Sequence, residues 1–348
     1  MKLRFLLFFT LLIAFNLFPQ DSKDLQTVLQ KLSKDAASAY VGPTVSAFSA
    51  NLNSGWVHRV PKATIFGIDI ELGVVAMGTF FSDNNKTFST SGTFRFNTAQ
   101  ATQLVQGVNA PQSVKDNLIN QIIQQDFTVG ISGPTIVGSK SDTVKIGFKG
   151  TTINGYTIPS ASVATGVIGY LENMPVFPLF APQLTIGTFY GSSVAIRYVP
   201  AIKLDPKVGD FSYFGIGVQH NPGMWLPFPL PLEVSVGIFT QTMKLGTVFQ
   251  STATTFGIYG SKTFGPGAFN VTPYAGLSYE SGSSDVSYDY IIDTPVPGTP
   301  QHLSFNLTAA NSVRMMIGAA FKLGFISLNV DYNIASYNVV NAGLGIIF

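Results

Sequence analysis

A chain of 348 residues with 20 lysines and arginines, 18 aspartates and glutamates and no cysteine carries a formal net charge of +2. No basic cluster is present to neutralise phosphates, which argues against a nucleic-acid partner. The missing thiols exclude disulfides, thiolate metal sites and a lipid-modified N-terminal cysteine. Charged residues make up 11%, against about 25% in a soluble domain, and mean hydropathy is +0.30. Yet no stretch beyond the N-terminus reaches the roughly 18 apolar residues of a spanning helix. Alternating strands with one lipid-facing side reconcile the two observations.

In chain order, residues 1–20 read as a signal peptide: Lys2 and Arg4, then an apolar core from Phe5 to Phe18, then polar residues from Gln20. Residues 21–61 read as a helix followed by an irregular piece. Leu25, Val28, Leu29, Leu32 and Ala36 keep helical spacing, and Gly42-Pro43 opens a mixed stretch with Phe48 and Trp56. The segment is either a plug inside or under a barrel or a periplasmic arm, and its aromatic content favours the plug.

From residue 62 the period becomes two. Phe66, Ile68, Ile70, Leu72 and Val74 alternate with Gly67, Asp69, Glu71 and Gly73; after Ser82–Asn85, Phe88, Phe94 and Phe96 alternate with Ser and Thr, which predicts a hairpin. Residues 98–125 break the pattern. Val114, Leu118 and Ile122 fall at i, i+4, i+8, and Gly107 to Pro111 splits two short helices. This helical insertion would lie at a barrel rim or form a periplasmic connection, the simpler reading. Later segments alternate again, most clearly at 303–321, broken only at Asn311, and at Ile326, Leu328, Val330 and Tyr332. Lengths of this kind suit the ~9–11 residues a membrane strand needs. The expectation is an all-β fold: a transmembrane antiparallel β-barrel over residues 62–348 with about fourteen strands, or twelve because 151–190 is poorly defined.

The last strand places Val340, Ala342, Leu344, Ile346 and Phe348 on one apolar face and ends on the aromatic residue. Leu344, Ile346 and Phe348 resemble the C-terminal signature of bacterial outer-membrane barrels, which implies outer-membrane lipid and the barrel assembly machinery as partners. That family often has an aromatic where Ile346 stands. The polar faces carry Asp69, Glu71, Arg95, Lys145, Lys149, Arg197, Glu233, Arg314 and Asp331. In a barrel they would line the lumen, where charges of both signs either pair across it or set the selectivity of a path; pairing is the simpler reading.

Strand number, an N-terminal segment and few charges together resemble the outer-membrane fatty-acid and hydrocarbon transporters, which would imply uptake of hydrophobic small molecules. The Asn-Pro-Ala hatch motif of that family is missing; Asn109-Ala-Pro111 has another order. The run Gly215-Ile-Gly-Val-Gln-His-Asn221, with Trp225, Pro227, Pro229 and Leu232 to Phe239, is similar to an uncharacterised family of exported barrels, and supports a fold without a substrate. His220 to Pro231 reads as an interfacial turn with Trp225 and Phe228 in an aromatic belt. His302-Leu-Ser304 has the His-x-Ser form of outer-membrane phospholipases, but lacks their wider signature. No metal spacing or phosphate loop is present and no cofactor is expected. The sequence therefore predicts a non-enzymatic barrel passing small solutes passively, or else one with a filled lumen.

Overall fold

The computed structural model describes residues 25–205, 209–290 and 301–348. The leader reading of residues 1–20 lies outside them, as does the tip of the late connection, 291–300. In chain order the elements are α1 (Leu25–Leu52), β1 (Phe66–Phe80), β2 (Thr87–Phe94), α2 (Thr98–Val105), α3 (Gln112–Gln124), β3 (Phe127–Pro134), β4 (Lys145–Phe148), β5 (Thr151–Ile153), β6 (Tyr156–Ile158) and β7 (Ala161–Ala164). There follow β8 (Val176–Phe189), β9 (Ser192–Asp205), β10 (Gly209–His220), β11 (Glu233–Leu245), β12 (Phe249–Ser261), β13 (Phe269–Tyr290), β14 (Gln301–Thr308), β15 (Val313–Leu323), β16 (Ile326–Ile334) and β17 (Val339–Ile347). Among the described residues, no helix is long and apolar enough to cross a membrane.

The chain forms two compact units, divided within α1 between Pro43 and Thr44. The first holds residues 25–43 and 83–174. Its sheet runs β2-β3-β4-β7, with β5 and β6 as a separate pair. The apolar side of that sheet, Phe94, Phe127, Val129 and Ile131, is buried against Leu32, Ala36 and Tyr40 of α1 and against Ala101, Val105, Leu118 and Ile122 of α2 and α3. A capping box opens α2: the Asn97 side chain accepts from the Gln100 N–H at 2.9 Å, and the Gln100 side chain accepts from the Asn97 N–H at 3.0 Å. Pro111 stands at the N-cap of α3.

The second unit is a closed ring of ten antiparallel strands. Its order is β12-β11-β10-β9-β8-β1-β17-β16-β15-β13, and β13 pairs back with β12. The last strand closes on the first, Leu72 opposite Ile346 and Val74 opposite Leu344. An eleventh strand, β14, pairs with the far half of β13. The ring keeps the predicted alternation. Ile68, Ile70, Leu72 and Val74 are exposed outward, as are Leu277, Ile317, Leu328 and Leu344 on other strands, while Glu71, Val75, Met77 and Thr79 are buried inward. Gly324, at φ +66°, makes the tight turn from β15 to β16.

Ten strands correct the expected fourteen or twelve. Four of the strands that alternation marks after residue 83, β2, β3, β4 and β7, form the first unit's sheet, so residues 83–174 are not part of the barrel. The predicted hairpin of β1 with β2 does not form, since β1 pairs with β17 and β8, and β2 with β3. A period of two marks a strand but not its sheet, and here amphipathic helices cover the apolar side. The predicted strand at 302–322 is two strands, β14 and β15, separated at Asn311. The helix expected to stop near Tyr40 continues through Gly42 and Pro43 to Leu52; burial of Val45, Ala47, Ala50 and Leu52 outweighs the weak local propensity.

Candidate functional site in the barrel lumen

Within the barrel unit, residues 44–63 run through the ring from one rim to the other, alongside β1 and opposite in direction. The Thr79 hydroxyl donates to Ala47 O at 3.2 Å and to Asn51 Oδ1 at 2.7 Å. Further along, Gly55 lies against Val75, His58 Nε2 is 2.9 Å from Glu71 Oε2, and Arg59 Nη1 is 2.7 Å from Asp69 Oδ2. Gly55 has φ +67°, and a Cβ there would stand 2.6 Å from Val75 Cγ1, so this turn suits glycine alone.

A helix ends with carbonyls that lack intrahelical partners and with a partial negative charge. Two arginines meet this end. Arg314 Nη2 donates to Ala50 O at 2.8 Å, and its Nε and Nη2 reach Glu280 Oε2 at 2.8 Å and Oε1 at 3.1 Å. Arg197 Nη2 donates to Ser54 O at 3.0 Å and Nε to Gln183 Oε1 at 2.9 Å, while its guanidinium lies 4.0 Å over the Trp56 ring. Arg197 is 0% exposed and Arg314 3%. Buried charge is costly unless it is hydrogen-bonded; both guanidinium groups are, with only Arg314 Nη1 left without a partner.

Trp56 stacks on Phe239, ring centroids 5.2 Å apart, and donates its indole N–H to Leu52 O at 3.1 Å. Room for these rings comes from inward glycines: a Cβ on Gly217 would lie 1.9 Å from Phe239 Cδ1. Below them, Asp331 accepts from Asn341 Nδ2 at 2.6 Å, from Asn333 Nδ2 and from the Tyr274 hydroxyl at 2.9 Å. At the rim where β1 begins, Glu233 Oε2 accepts from the Ala63 N–H at 3.2 Å, and Asn221 Nδ2 donates to Pro61 O at 2.8 Å. A cavity of about 10 Å³, room for about one water, lies among His58, Glu71, Gln183, Thr185 and Asn329.

Of the predicted lumen residues, Asp69, Glu71, Arg197, Glu233, Arg314 and Asp331 thus sit on the inner wall around one segment. Arg95 and Lys145, with Lys149, do not: they belong to the first unit, where Arg95 pairs with Asp126 and Lys145 with Asp142 at its surface. The charges do pair, though not directly across the lumen: Arg314 with Glu280 of the neighbouring strand, and Asp69 and Glu71 with Arg59 of the inserted segment, while the two arginines also reach backbone carbonyls of that segment. Glu280 and Gln183 were missed. Glu280 follows at even spacing the inward Thr272, Tyr274 and Ser278 of β13, so alternation alone could have found it; nothing local marks Gln183.

The remaining motifs carry no assembled chemistry. Ser304 is exposed on β14, and the His302 side chain lies outside the described residues. His220 Nδ1 is 3.0 Å from Ser192 Oγ, but its Nε2 accepts from the Trp225 indole at 2.9 Å. The neutral ring therefore holds its proton on Nδ1 and donates to the serine, the wrong tautomer for a base. Trp225 and Phe228 are exposed at this rim.

Among solved structures, the chain is similar to OmpT, an outer membrane protein of Vibrio cholerae (9% identical, covering 81% of this chain and 99% of that one, TM-score 0.23). It is also similar to the translocator domain of the autotransporter NalP from Neisseria meningitidis (12%, 91% and 98%, TM-score 0.24). A third is OccAB4 of Acinetobacter baumannii (8%, 81% and 97%, TM-score 0.15). TM-scores of this size do not define a common fold. No curated protein matches the chain. A family model described as a family of unknown function, DUF6588, matches residues 1–348.

Proposed function

The chain belongs to this family of unknown function along its whole length, and we propose that it is a bacterial outer-membrane β-barrel whose lumen is stoppered by its own residues 44–63. The observation that carries this reading is the pair of fully enclosed arginines, Arg197 and Arg314, both bound to carbonyls of that segment. The apolar outer face supports a membrane setting. From Phe269 to Tyr279 it runs over eleven residues, ten steps, which at ~3.3 Å rise and ~40–45° tilt gives about 24 Å, close to the ~25 Å apolar band of such barrels. An even strand count fits as well. In this setting Leu344, Ile346 and Phe348 present the closing strand to the assembly machinery, and residues 1–20 direct export.

A stoppered lumen suits a structural or ligand-holding barrel better than an open pore. Passive transport of small, hydrophobic solutes is the second reading. It draws on the two arginine contacts to the segment, which are hydrogen bonds to backbone carbonyls that water can replace. Planar-bilayer conductance tests the choice. The intact protein, shown to be folded by a heat-dependent gel shift, is expected to be silent; steady conductance would overturn the stoppered reading. Conductance that appears only in Arg197→Ala/Arg314→Ala would favour transport by withdrawal of the segment.

A further inference from the structure

The ring is not zipped evenly. Pairing between β8 and β9 runs from Phe189↔Ser192 to Gln183↔Arg197 and stops there, although β8 extends back to Val176 and β9 on to Asp205. Both strands stay paired on their other sides: Val176 to Pro182 with β1, and Tyr198 to Asp205 with β10. Between them the wall has a seam without a ladder.

The sequence gives the cause. On β1, Ile70 and Phe80 donate backbone hydrogen bonds to Phe348 and Asn338, so its even-numbered residues face β17 and its odd-numbered ones face β8. Their partners on β8 are odd-numbered too, as in Met77↔Leu179. The even-numbered residues of β8 therefore face β9, and two of them are Pro178 and Pro182, which have no N–H to give. On β9, Pro200 follows the last pair, and Pro200 to Lys203 are exposed on both faces, where a paired strand would alternate.

The seam is apolar outside and inside. Phe180, Tyr198 and Ile202 flank it outward. Behind it, Leu179, Ala181, Val199, Tyr213 and Met243 form an apolar chamber that Phe48 and Leu52 of α1 fill. The side chains along this route are apolar on both sides, and Pro178 and Pro182 reduce the backbone N–H groups that the missing ladder leaves open to it.

We propose that this seam is a lateral portal through which a single hydrocarbon chain passes between the bilayer and the upper lumen, taking the space that Phe48 and Leu52 hold. The inference rests on the membrane-barrel reading and names the ligand class for it.

The test uses the full chain in vesicles, with folding checked by the gel shift. The chain has two tryptophans and no cysteine, so Trp225→Phe leaves Trp56, inside the lumen, as the one reporter. Ala181→Cys/Val199→Cys continues the register of Gln183↔Arg197 by two residues. Its disulfide requires Cα atoms roughly 4.4–6.8 Å apart and so draws the seam shut. Dibromostearate in the membrane is expected to quench Trp56, oxidation of the double-cysteine protein to abolish the quenching, and reduction to restore it. A Val236→Cys/Ile258→Cys bridge across the fully paired β11–β12 seam should leave quenching unchanged. Quenching by brominated phospholipid with the same lock sensitivity would identify a bilayer lipid as the source; quenching by dibromostearate alone would identify a free fatty acid. A folded, gel-shifting protein whose Trp56 is not quenched, or is quenched equally when locked, overturns the portal and leaves the barrel reading standing.

Discussion

Arg197 and Arg314 stand on opposite walls of the ring. From β9 to β15 the count is five steps through β8, β1, β17 and β16, and five through β10, β11, β12 and β13. Both nevertheless donate to one stretch of backbone, at Ser54 and Ala50. The end of α1 is clamped across the full width of the lumen by two buried charges, each held in place by a wall partner, Gln183 for Arg197 and Glu280 for Arg314.

Breaking one side of that clamp should be costly. In Arg314→Ala, Glu280 keeps a buried charge without its partner, a loss of about 3–5 kcal/mol. Replacing both, as Arg314→Met/Glu280→Leu, removes the charge as well as the partner and should recover most of the loss. The temperature of the heat-dependent gel shift measures this. Equal transition temperatures for the intact protein and Arg314→Ala would refute it.

The second prediction concerns an inward glycine. A valine at Gly217 would place its Cβ on the Phe239 ring, pushing it off Trp56 at an overpacking cost of about 1–3 kcal/mol. With Trp225→Phe as background, Trp56 emission should move to longer wavelength as water reaches the indole. Adding Phe239→Leu should reverse part of the shift. An unchanged spectrum for Gly217→Val would show that the stack does not depend on this gap.

The third belongs to the first unit. The Tyr40 hydroxyl donates to Ile168 O at 2.9 Å, and burial, with Tyr170 nearby, holds its pKa well above the ordinary 10. A folded-state value above the unfolded one means that the stabilisation is complete below pH ~10 and is lost as pH rises further, because the unfolded chain ionises first. Tyr40→Phe should cost about 1 kcal/mol at neutral pH through the lost hydrogen bond, yet move alkaline unfolding of this unit to higher pH. Hydrogen exchange of α2 and α3 across an alkaline titration reads both effects.

The barrel strands were legible because alternation alone decides which side chains face inward. Arg197, Arg314 and Asp331 were readable for that reason. Arg95 and Lys145 follow the same alternation, but in a sheet whose apolar side is covered by helices, and no local pattern distinguishes helix cover from lipid. The stretch Val176–Ala181 was unreadable as strand because Pro178 and Pro182 argue against a ladder; they forbid only the one toward β9. Pro43 misled in the same way about α1. The partners of the two arginines left no mark at all, since any residue at 50 or 54 offers a carbonyl.

Residues 44–63 traverse the ring and then become one of its staves as β1. A finished hoop could take up that lace only if everything ahead of Thr44 were drawn lengthwise through it. Joining β1 to β17 around a strand already lying in place requires no such passage. Residues 44–63 must therefore lie in place before the last seam of the ring closes, and that much of the order of assembly is written into the path of the chain.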